Sequence, residues 1–536
     1  GRAVQYKVTE TVPEYYTKLD NVVTNGETNE NGGSVMDSQL YNEPFKVKAQ
    51  LKKVDEETGN PLSGAVFSVY VWSERTGGYV PYRGTTDSSS EPYETGTMTG
   101  ASEGMTLVET EKGTYLTPSW LYYSPDNQGK YRINETSAPE GYYGDWKDDA
   151  EVSEDSTDAD KNVYDFVISA DTAQNQSTIT ITNNQEGTFD DQRVLGKITF
   201  TKNDLEAQDT IPQGDASLAG AQYGLYAAED IVHQDQSGTV LYQRGEEIKV
   251  SYVGAENGVR TYRYDEDGTA AMTVGAGYTI IIEDLELGSY YLQEKEASEG
   301  YLADPEQYEF EIVYKDEKTP VVEISDYQVY EQVKKQALSF YKVTGTDNTD
   351  RLDPMEGAKF SIYLVSELAG GKYADVSDED LPQAMIDDFR DPTALDYSAF
   401  RQIRPAIVYE EADSPDVESG KLVKSITYSD GTTYRISDYT DNENAYFAAE
   451  IESDDRGIVT TPGLPYGRYV VIETTTPENT TATRPFVIHV QADDEDGTVD
   501  GDGQGTPLDD LVILMDRPVM ALVRIEKVDS QSKKPV

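Results

Sequence analysis

YRINETSAPEGYYGDW (Tyr131–Trp146) is the stretch on which the reading of this chain turns. It returns, altered, as YYLQEKEASEGYLAD (Tyr290–Asp304) and YVVIETTTPENTTAT (Tyr469–Thr483), and near the start as YKVTETVPEYY (Tyr6–Tyr16). Each copy alternates Tyr, x, apolar, x before a Glu and then enters a turn rich in Pro, Gly and Glu. Alternation at period two puts Tyr131 and Ile133 on one face of a strand, with Glu135 arriving as the strand meets its turn. One phrase in four copies implies a tandem array of small units.

Composition agrees. A length of 536 residues suggests about three or four domains. Hydrophobic residues make up 37% of the chain, with 40 Tyr against 12 Phe, which suits several small sheet cores better than one large one. The formal net charge is −56, so nucleic acid and anionic membrane are excluded as partners. Charge of that size also suits disorder, but the regular alternation and abundant Tyr argue for folded sheets. With no Cys there is no disulfide, thiol nucleophile, Cys-ligated metal or internal thioester. GRAVQYKVTET lacks the basic start and apolar run of a signal peptide. The most apolar segment, LVILMDRPVMALV (Leu511–Val523), is short for a membrane span and broken by Asp-Arg-Pro. Targeting and anchoring signals are therefore expected outside these residues.

In chain order, residues 1–44 read as the back half of a unit, with a Glu phrase and a last strand but no front. A full unit covers 45–190, opening with KVKAQLKKVDEETGNPLSGAVFSVYVW and closing at STITITNN (Ser177–Asn184). The next, 194–334, opens with GKITFTKND and closes with VVEISD (Val321–Asp326). A third, 335–518, carries a long insertion with a short helix near Asp380–Asp391 and two hairpin-like runs, KLVKSITYSDGTTYRI and AYFAAEIESDDRGIVT. Residues 519–536 start a further unit. The two end pieces together still lack most of a sandwich, so strand donation between copies is disfavoured and a longer parent chain is expected. Strand-rich units with turn signals and little helix indicate an all-β string of sandwiches.

The opening phrase recurs as well. Lys53-Val-Asp precedes LSGAVFSVY, Lys202-Asn-Asp precedes LAGAQYGLY, Lys342-Val-Thr precedes MEGAKFSIY, and Lys527-Val-Asp begins the last piece. A third constant is an Asn or Asp ending the last strand, read at Asn42, Asn183, Asp326 and Asp516; Asn42 to Lys53 and Asp516 to Lys527 are both eleven residues. Burial between sheets lowers a Lys pKa and leaves a nucleophilic amine. A Glu in the same dry site has its pKa raised, so it can polarise a carbonyl and shuttle protons. Attack on an Asn carbonyl expels ammonia, and on Asp water, leaving an isopeptide bond that pins first strand to last in place of a disulfide. A lone Lys would be read as a surface residue in ordinary salt bridges. Recurrence of the whole trio in order reverses that.

K-x-D, L-x-G-A-x-F, the Glu phrase and the terminal Asn or Asp together resemble the Cna B-type, or SpaA-like prealbumin-fold, domains of Gram-positive pilins and adhesins. The resemblance covers nearly the whole chain. It implies tandem immunoglobulin-like β-sandwiches in an elongated rod, each with an autocatalytic Lys–Asn/Asp bond and a catalytic Glu. Carried across, the trios are Lys53, Glu135 and Asn183; Lys202, Glu294 and Asp326; and Lys342, Glu473 and Asp516. Glu10 and Asn42 belong to the leading piece, and Lys527 to the trailing one. Several positions depart from the pattern. Ser298 stands where Pro139 does in the first full unit, and Glu331, not Asp326, lies eleven residues before Lys342. Asp37 competes with Asn42, because DSQLYN matches DYQVYE, and no Gly-Tyr follows Pro477. Neither an LPxTG-type sorting signal nor a Lys-bearing pilin motif is present.

The function expected is a structural stalk or fibre segment on a bacterial cell surface, extracellular and stiffened by these bonds. Its partners would be neighbouring domains or subunits. It is not an enzyme beyond the single-turnover bond. The alternative is a carbohydrate- or matrix-binding adhesin whose inserted loops contact a host glycan or matrix ligand. No cofactor is expected. DDEDGTVDGDGQGTPLDD (Asp493–Asp510) has carboxylates enough for calcium but not EF-hand spacing, and reads as a solvated acidic hairpin. Tyr79, Tyr82, Tyr93, Trp120, Tyr122 and Tyr123 could form a sugar platform, though core packing is the preferred reading. His233 and His489, the only histidines, stand in no nucleophile-elbow context.

Overall fold

A computed structural model describes residues 9–18, 42–84, 105–144, 163–169, 178–181, 188–336, 339–345, 353–366, 368, 371–388, 407–409, 423–427, 433–435, 450–461, 464–490, 512–518 and 526–534. Period-two alternation decides which side chains go inside. In Lys46–Asp55 the buried positions are Val47, Ala49, Leu51, Lys53 and Asp55. Along Leu195–Asp204 the row continues from Ile198 and Phe200 to Lys202 and Asp204, and in Ser339–Thr344 from Phe340 to Lys342. Each lysine thus takes the next place in an apolar row, so strand register alone carries it into the core.

Each Lys strand lies in one sheet of a two-sheet sandwich. Lys46–Asp55 pairs in parallel with Thr178–Thr180 and Phe189–Arg193, and antiparallel with Thr114–Leu116 and Leu121–Tyr122. Leu195–Asp204 sits between Thr279–Leu285 and the parallel Val321–Glu331. Ser339–Thr344 pairs in parallel with Val512–Pro518. The facing sheets hold the Glu strands: Lys130–Ser137 beside Val66–Ser73, Gly288–Glu296 beside Gln222–Ala227, and Gly467–Thr475 beside Lys359–Leu364. Between the sheets lie separate cores, including Leu51, Phe67, Ile133 and Phe189 in one; Phe200, Tyr223, Ile282 and Leu292 in the next; and Phe340, Phe360, Ile362 and Val471 in the third. The chain is therefore an all-β tandem array of sandwiches.

Leu381–Asp388 is an α-helix, as its sequence predicts, and its Leu381 and Met385 pack with Tyr363, Val365, Tyr373 and Val470. These partners alternate with the core residues Ile362, Leu364 and Val471, so the helix covers the outer face of that sheet. KLVKSITYSDGTTYRI forms the expected hairpin, Val423–Thr427 against Thr433–Arg435. AYFAAEIESDDRGIVT does not: Glu450–Glu452 joins the sheet of Lys359–Leu364, whereas Ile458–Thr460 joins that of Ser339–Thr344. The run crosses from one sheet to the other, because an open strand edge waits on each.

The last strands differ from expectation in one way that matters below. In the 194–334 region the pairing skips between Ile198 and Phe200, leaving Ser325 and Asp326 in a bulge, with Asp326 exposed at φ 61. In the preceding sandwich Thr180 pairs with Gln50 and Phe189 with Lys53, and residues 182–187 lie outside the described residues.

Polar contacts join successive sandwiches. Arg193 reaches Asp55 at 3.5 Å and also pairs with Glu57 and Glu286. The Gln234 amide donates to the carbonyls of Gly141 and Val194 at 3.0 Å each and accepts from the Leu287 N–H at 3.1 Å. Further along, Lys335 pairs with Glu206, and the Tyr466 hydroxyl donates to Glu299 at 3.0 Å.

Candidate functional site: buried lysine–carboxyl triads

A β-bulge follows each Glu on its strand: pairing slips between Val66 and Phe67, between Gln222 and Tyr223, and between Lys359 and Phe360, which leaves Thr136, Lys295 and Thr474 without a register partner. Past each slip an aromatic residue faces the Glu, as Phe67–Glu135, Tyr223–Glu294 and Phe360–Glu473. Bulges re-aim side chains, and here the Glu enters the core level with the Lys of the facing sheet. Lys53 Nζ lies 2.9 Å from Glu135 Oε2, Lys202 Nζ 2.9 Å from Glu294 Oε1, and Lys342 Nζ 2.9 Å from Glu473 Oε2. All three lysine side chains are fully buried. Aromatic rings flank the amines, with Tyr223 and Tyr301 5.6 and 5.9 Å from Lys202 Nζ and Phe360 5.5 Å from Lys342 Nζ.

A second carboxyl completes each group. Asp191 Oδ1 lies 2.5 Å from Lys53 Nζ, Glu331 contacts Lys202, and Asp516 contacts Lys342. One register rule covers all three. The carboxyl residue pairs with the position two beyond the Lys: Asp191 with Asp55, Glu331 with Asp204, and Asp516 with Thr344.

One expected acceptor therefore needs correction, and another is not reached by the structure. Asp326 sits exposed in the bulge, and Glu331 takes its place at Lys202. Asn183 lies outside the described residues, and the carboxyl at Lys53 is Asp191. At Asp326 the bulge resembles a strand end in sequence. Spacing carried the signal: Glu331 to Lys342 is eleven residues, as noted above, and the same spacing from Asp191 to Lys202 was missed.

Electrostatics correct a further expectation. Burial alone pushes the Lys53 amine down, but Glu135 and Asp191 outweigh it, and Lys53 titrates above the ordinary lysine range. The carboxyls take the opposite shift. Burial pushes Glu135 up to about 8 against the pull of Lys53, and raises Asp191 as well. Glu331 is likewise driven to about 8 by burial, with Lys202 opposing and Glu294 adding to it. Glu473 is raised, again chiefly by burial. Each pocket thus sets an amine, a carboxyl carbon and a proton-holding acid in contact, out of reach of water. These are the parts needed for amide condensation.

The rest of the recurrent phrases has structural work. The Tyr142 hydroxyl of the Gly-Tyr turn donates to Asp55 Oδ2 at 2.8 Å, and Tyr301 does the same to Asp204 at 2.9 Å. Where the Gly-Tyr is absent, the K-x-D Asp is absent too, replaced by Thr344. There, Thr483 bridges Lys342 and Asp516 at 2.9 and 3.0 Å. In the leading piece Asn42 donates to Glu10 at 2.6 Å, and Lys18 is its register partner on the neighbouring strand. Asp37 lies outside those residues, and Lys527 is exposed.

Of the aromatic candidates, Tyr82 is core, its hydroxyl on the Trp120 carbonyl at 2.6 Å and its ring edge-on to Tyr131. Tyr123 stacks on Tyr15, and Arg132 lies 4.1 Å from the centroid of Tyr79; Tyr93 lies outside the described residues. His489 bonds Asp378 at 2.7 Å, and His233 lies 3.4 Å from Asp235. Asp493–Asp510 and much of the inserted loops lie outside the described residues. Among those described, no cluster of metal-ligating side chains occurs and no helix is long and apolar enough to cross a membrane.

Comparison with known proteins adds a family. The SpaA profile, a prealbumin-like fold domain, matches residues 47–166, 196–328 and 426–504, together more than half of the chain. The Bacillus anthracis TIE protein aligns at 14% identity over 90% of this chain and 54% of its own, with a TM-score of 0.41. This chain thus spans about half of that protein's length. A Streptococcal ancillary pilin aligns at 12% identity over 88% of this chain and 99% of its own, TM-score 0.20. Shaft pilin spaA from Lactobacillus rhamnosus GG aligns at 14% over 61% and 100%, TM-score 0.18. No curated protein matches.

Proposed function

The chain belongs to the SpaA family of prealbumin-like fold domains, and from that premise we propose that it is a stalk segment on the outside of a Gram-positive cell. Its full units are 45–190, 194–334 and 335–518, with parts of neighbours at 1–44 and 519–536. Each full unit is stiffened by condensation of its buried lysine with the acceptor carboxyl on the last strand. The segment turns over no external substrate. It serves as a spacer that presents an adhesive region borne elsewhere.

The observation that carries this reading is the recurrence of one triad, at one register, in three separate sheets. A single buried ion pair is weak evidence, because desolving two charges costs several kcal/mol and apolar side chains would serve the core as well. Three retained triads with the same third member point to chemistry. Condensation removes both charges and leaves a neutral amide where the penalty had been.

Peptide mapping of the full chain tests the reading. Lys53 should be joined to Asp191 and Lys342 to Asp516, with one water lost at each. Ammonia lost in the first unit would point back to Asn183, and linear peptides at both sites would sink the proposal. Glu135→Ala and Glu473→Ala should leave folded units without the bond. Their stability should fall by roughly 2–5 kcal/mol, comparable to removing a disulfide, read as lower Tm.

A further inference from the structure

The middle sandwich departs from the other two at two positions, and the two departures touch. Its acceptor position holds Glu331 where the others hold Asp, which makes the side chain longer by one bond, about 1.5 Å. Its Glu-phrase turn holds Ser298 where the first unit has Pro139. The Ser298 hydroxyl donates to Glu331 Oε2 at 2.9 Å, and its backbone N–H faces Oε1 at 3.4 Å. Proline offers neither donor. The longer acid therefore reaches the turn, and the turn supplies what a buried carboxyl needs at its far end.

From this geometry we propose that the middle unit closes a γ-glutamyl bond between Lys202 and Glu331, with Ser298 as the positioning residue that holds the Glu331 carboxyl. This rests on the condensation reading above. The neutral Lys202 amine attacks Cδ of protonated Glu331, and a C–N bond forms. Glu294, 2.9 Å from Nζ, takes a proton from nitrogen and passes it to the departing hydroxyl. The C–O bond breaks and one water leaves; no oxidant or cofactor enters the balance. Ser298 stabilises the oxygen that carries charge in the tetrahedral adduct. Burial holds Glu331 protonated up to about 8, so its carboxyl is in the form an amine attacks.

The test is a peptide map of the full chain, read at all three lysines. A branched peptide joining Lys202 to Glu331 is expected. Linear Lys202, or Lys202 joined to Glu294 or Asp326, beside branched Lys53 and Lys342 would overturn this assignment and leave the stalk reading standing. Linear peptides at all three would overturn both. Glu331→Gln should give the same bond with ammonia lost instead of water, and Glu331→Ala none. A swap isolates Ser298: Ser298→Pro and Glu331→Asp should each slow bond formation at least tenfold. The double variant, which rebuilds the first unit's arrangement, should recover most of the rate. A double variant slowed by the product of the single effects would remove Ser298 from the proposal.

Discussion

Lys53, Glu135 and Asp191 share protons under conditions that water would never impose. Two carboxyl groups raised by burial lie against a lysine held charged: Glu135 is pushed up to about 8 and Asp191 is raised as well, so the pocket holds its protons tightly. Condensation then draws on protons already in the pocket, not on imported ones. The acid form of Glu135 is present below about 8 and disappears as pH rises through that value. In an unlinked chain, any stability drawn from holding that proton is whole below the ordinary 4.5 and lost as pH rises through about 8. A chain released from cell-free synthesis should therefore close its first-unit bond at a steady rate below about 8. Above it the rate should fall roughly tenfold per pH unit, followed by peptide mapping of quenched samples. A rate that climbs through that range would mean that losing the ammonium proton, not keeping the acid proton, limits the step.

Strands and turns set the positions of these groups to fractions of an ångström. Gly113, at φ 70, accepts the Lys53 N–H at 2.8 Å, and a Cβ there would lie 2.7 Å from the Lys53 carbonyl oxygen and 2.6 Å from Pro61. Gly59 has the same φ of 70 with open space around it. Gly59→Ala should cost only the left-handed backbone, roughly 1 kcal/mol. Gly113→Ala should cost roughly 1–3 kcal/mol more and lower the linked fraction of the first unit; equal effects on Tm would show that the close approach is harmless. Much at this scale was legible beforehand. Alternation placed Lys53, Lys202 and Lys342 on inward faces, and the Glu phrase delivered Glu135, Glu294 and Glu473. Acceptors were legible only where the last strand pairs unbroken up to its acid, as at Asp516. Asp326 was misread because a bulge and a strand end use the same polar, turn-forming residues, and pairing across the sheet tells them apart. The split of AYFAAEIESDDRGIVT between two sheets was illegible for a related reason. Period two identifies a strand but not the edge it joins.

Between sandwiches, hydrogen bonds and ion pairs recur among the described residues, from Asn60–Asp235 and Ser63–Gln236 to Arg468–Asp215. The Gln234 side chain ties the Gly141 turn, the Val194 linker and Leu287 of the following unit, beside the Val194 N–H bond to the Gly141 carbonyl. Gln234→Ala should remove three hydrogen bonds worth about 1 kcal/mol each and loosen the joint without unfolding either neighbour. Arg193, a trypsin site in that linker, should then be cut some tens of times faster under limited digestion; an unchanged rate would mean that the Arg193 ion pairs suffice. The parallel pairing of first and last strands has a consequence for a chain under tension. A pull enters a sandwich along one of these neighbours and leaves along the other. With the proposed amides closed, it crosses from Lys53 to Asp191 and bypasses the 137 residues between them. Unlinked, those residues could spool out roughly 450–500 Å. Linked, only runs such as the eleven residues from Asp191 to Lys202 can straighten, about 35–40 Å at full stretch. Such a segment would act as a tether of nearly constant reach, giving little length to shear and keeping whatever it carries at a set distance from the wall.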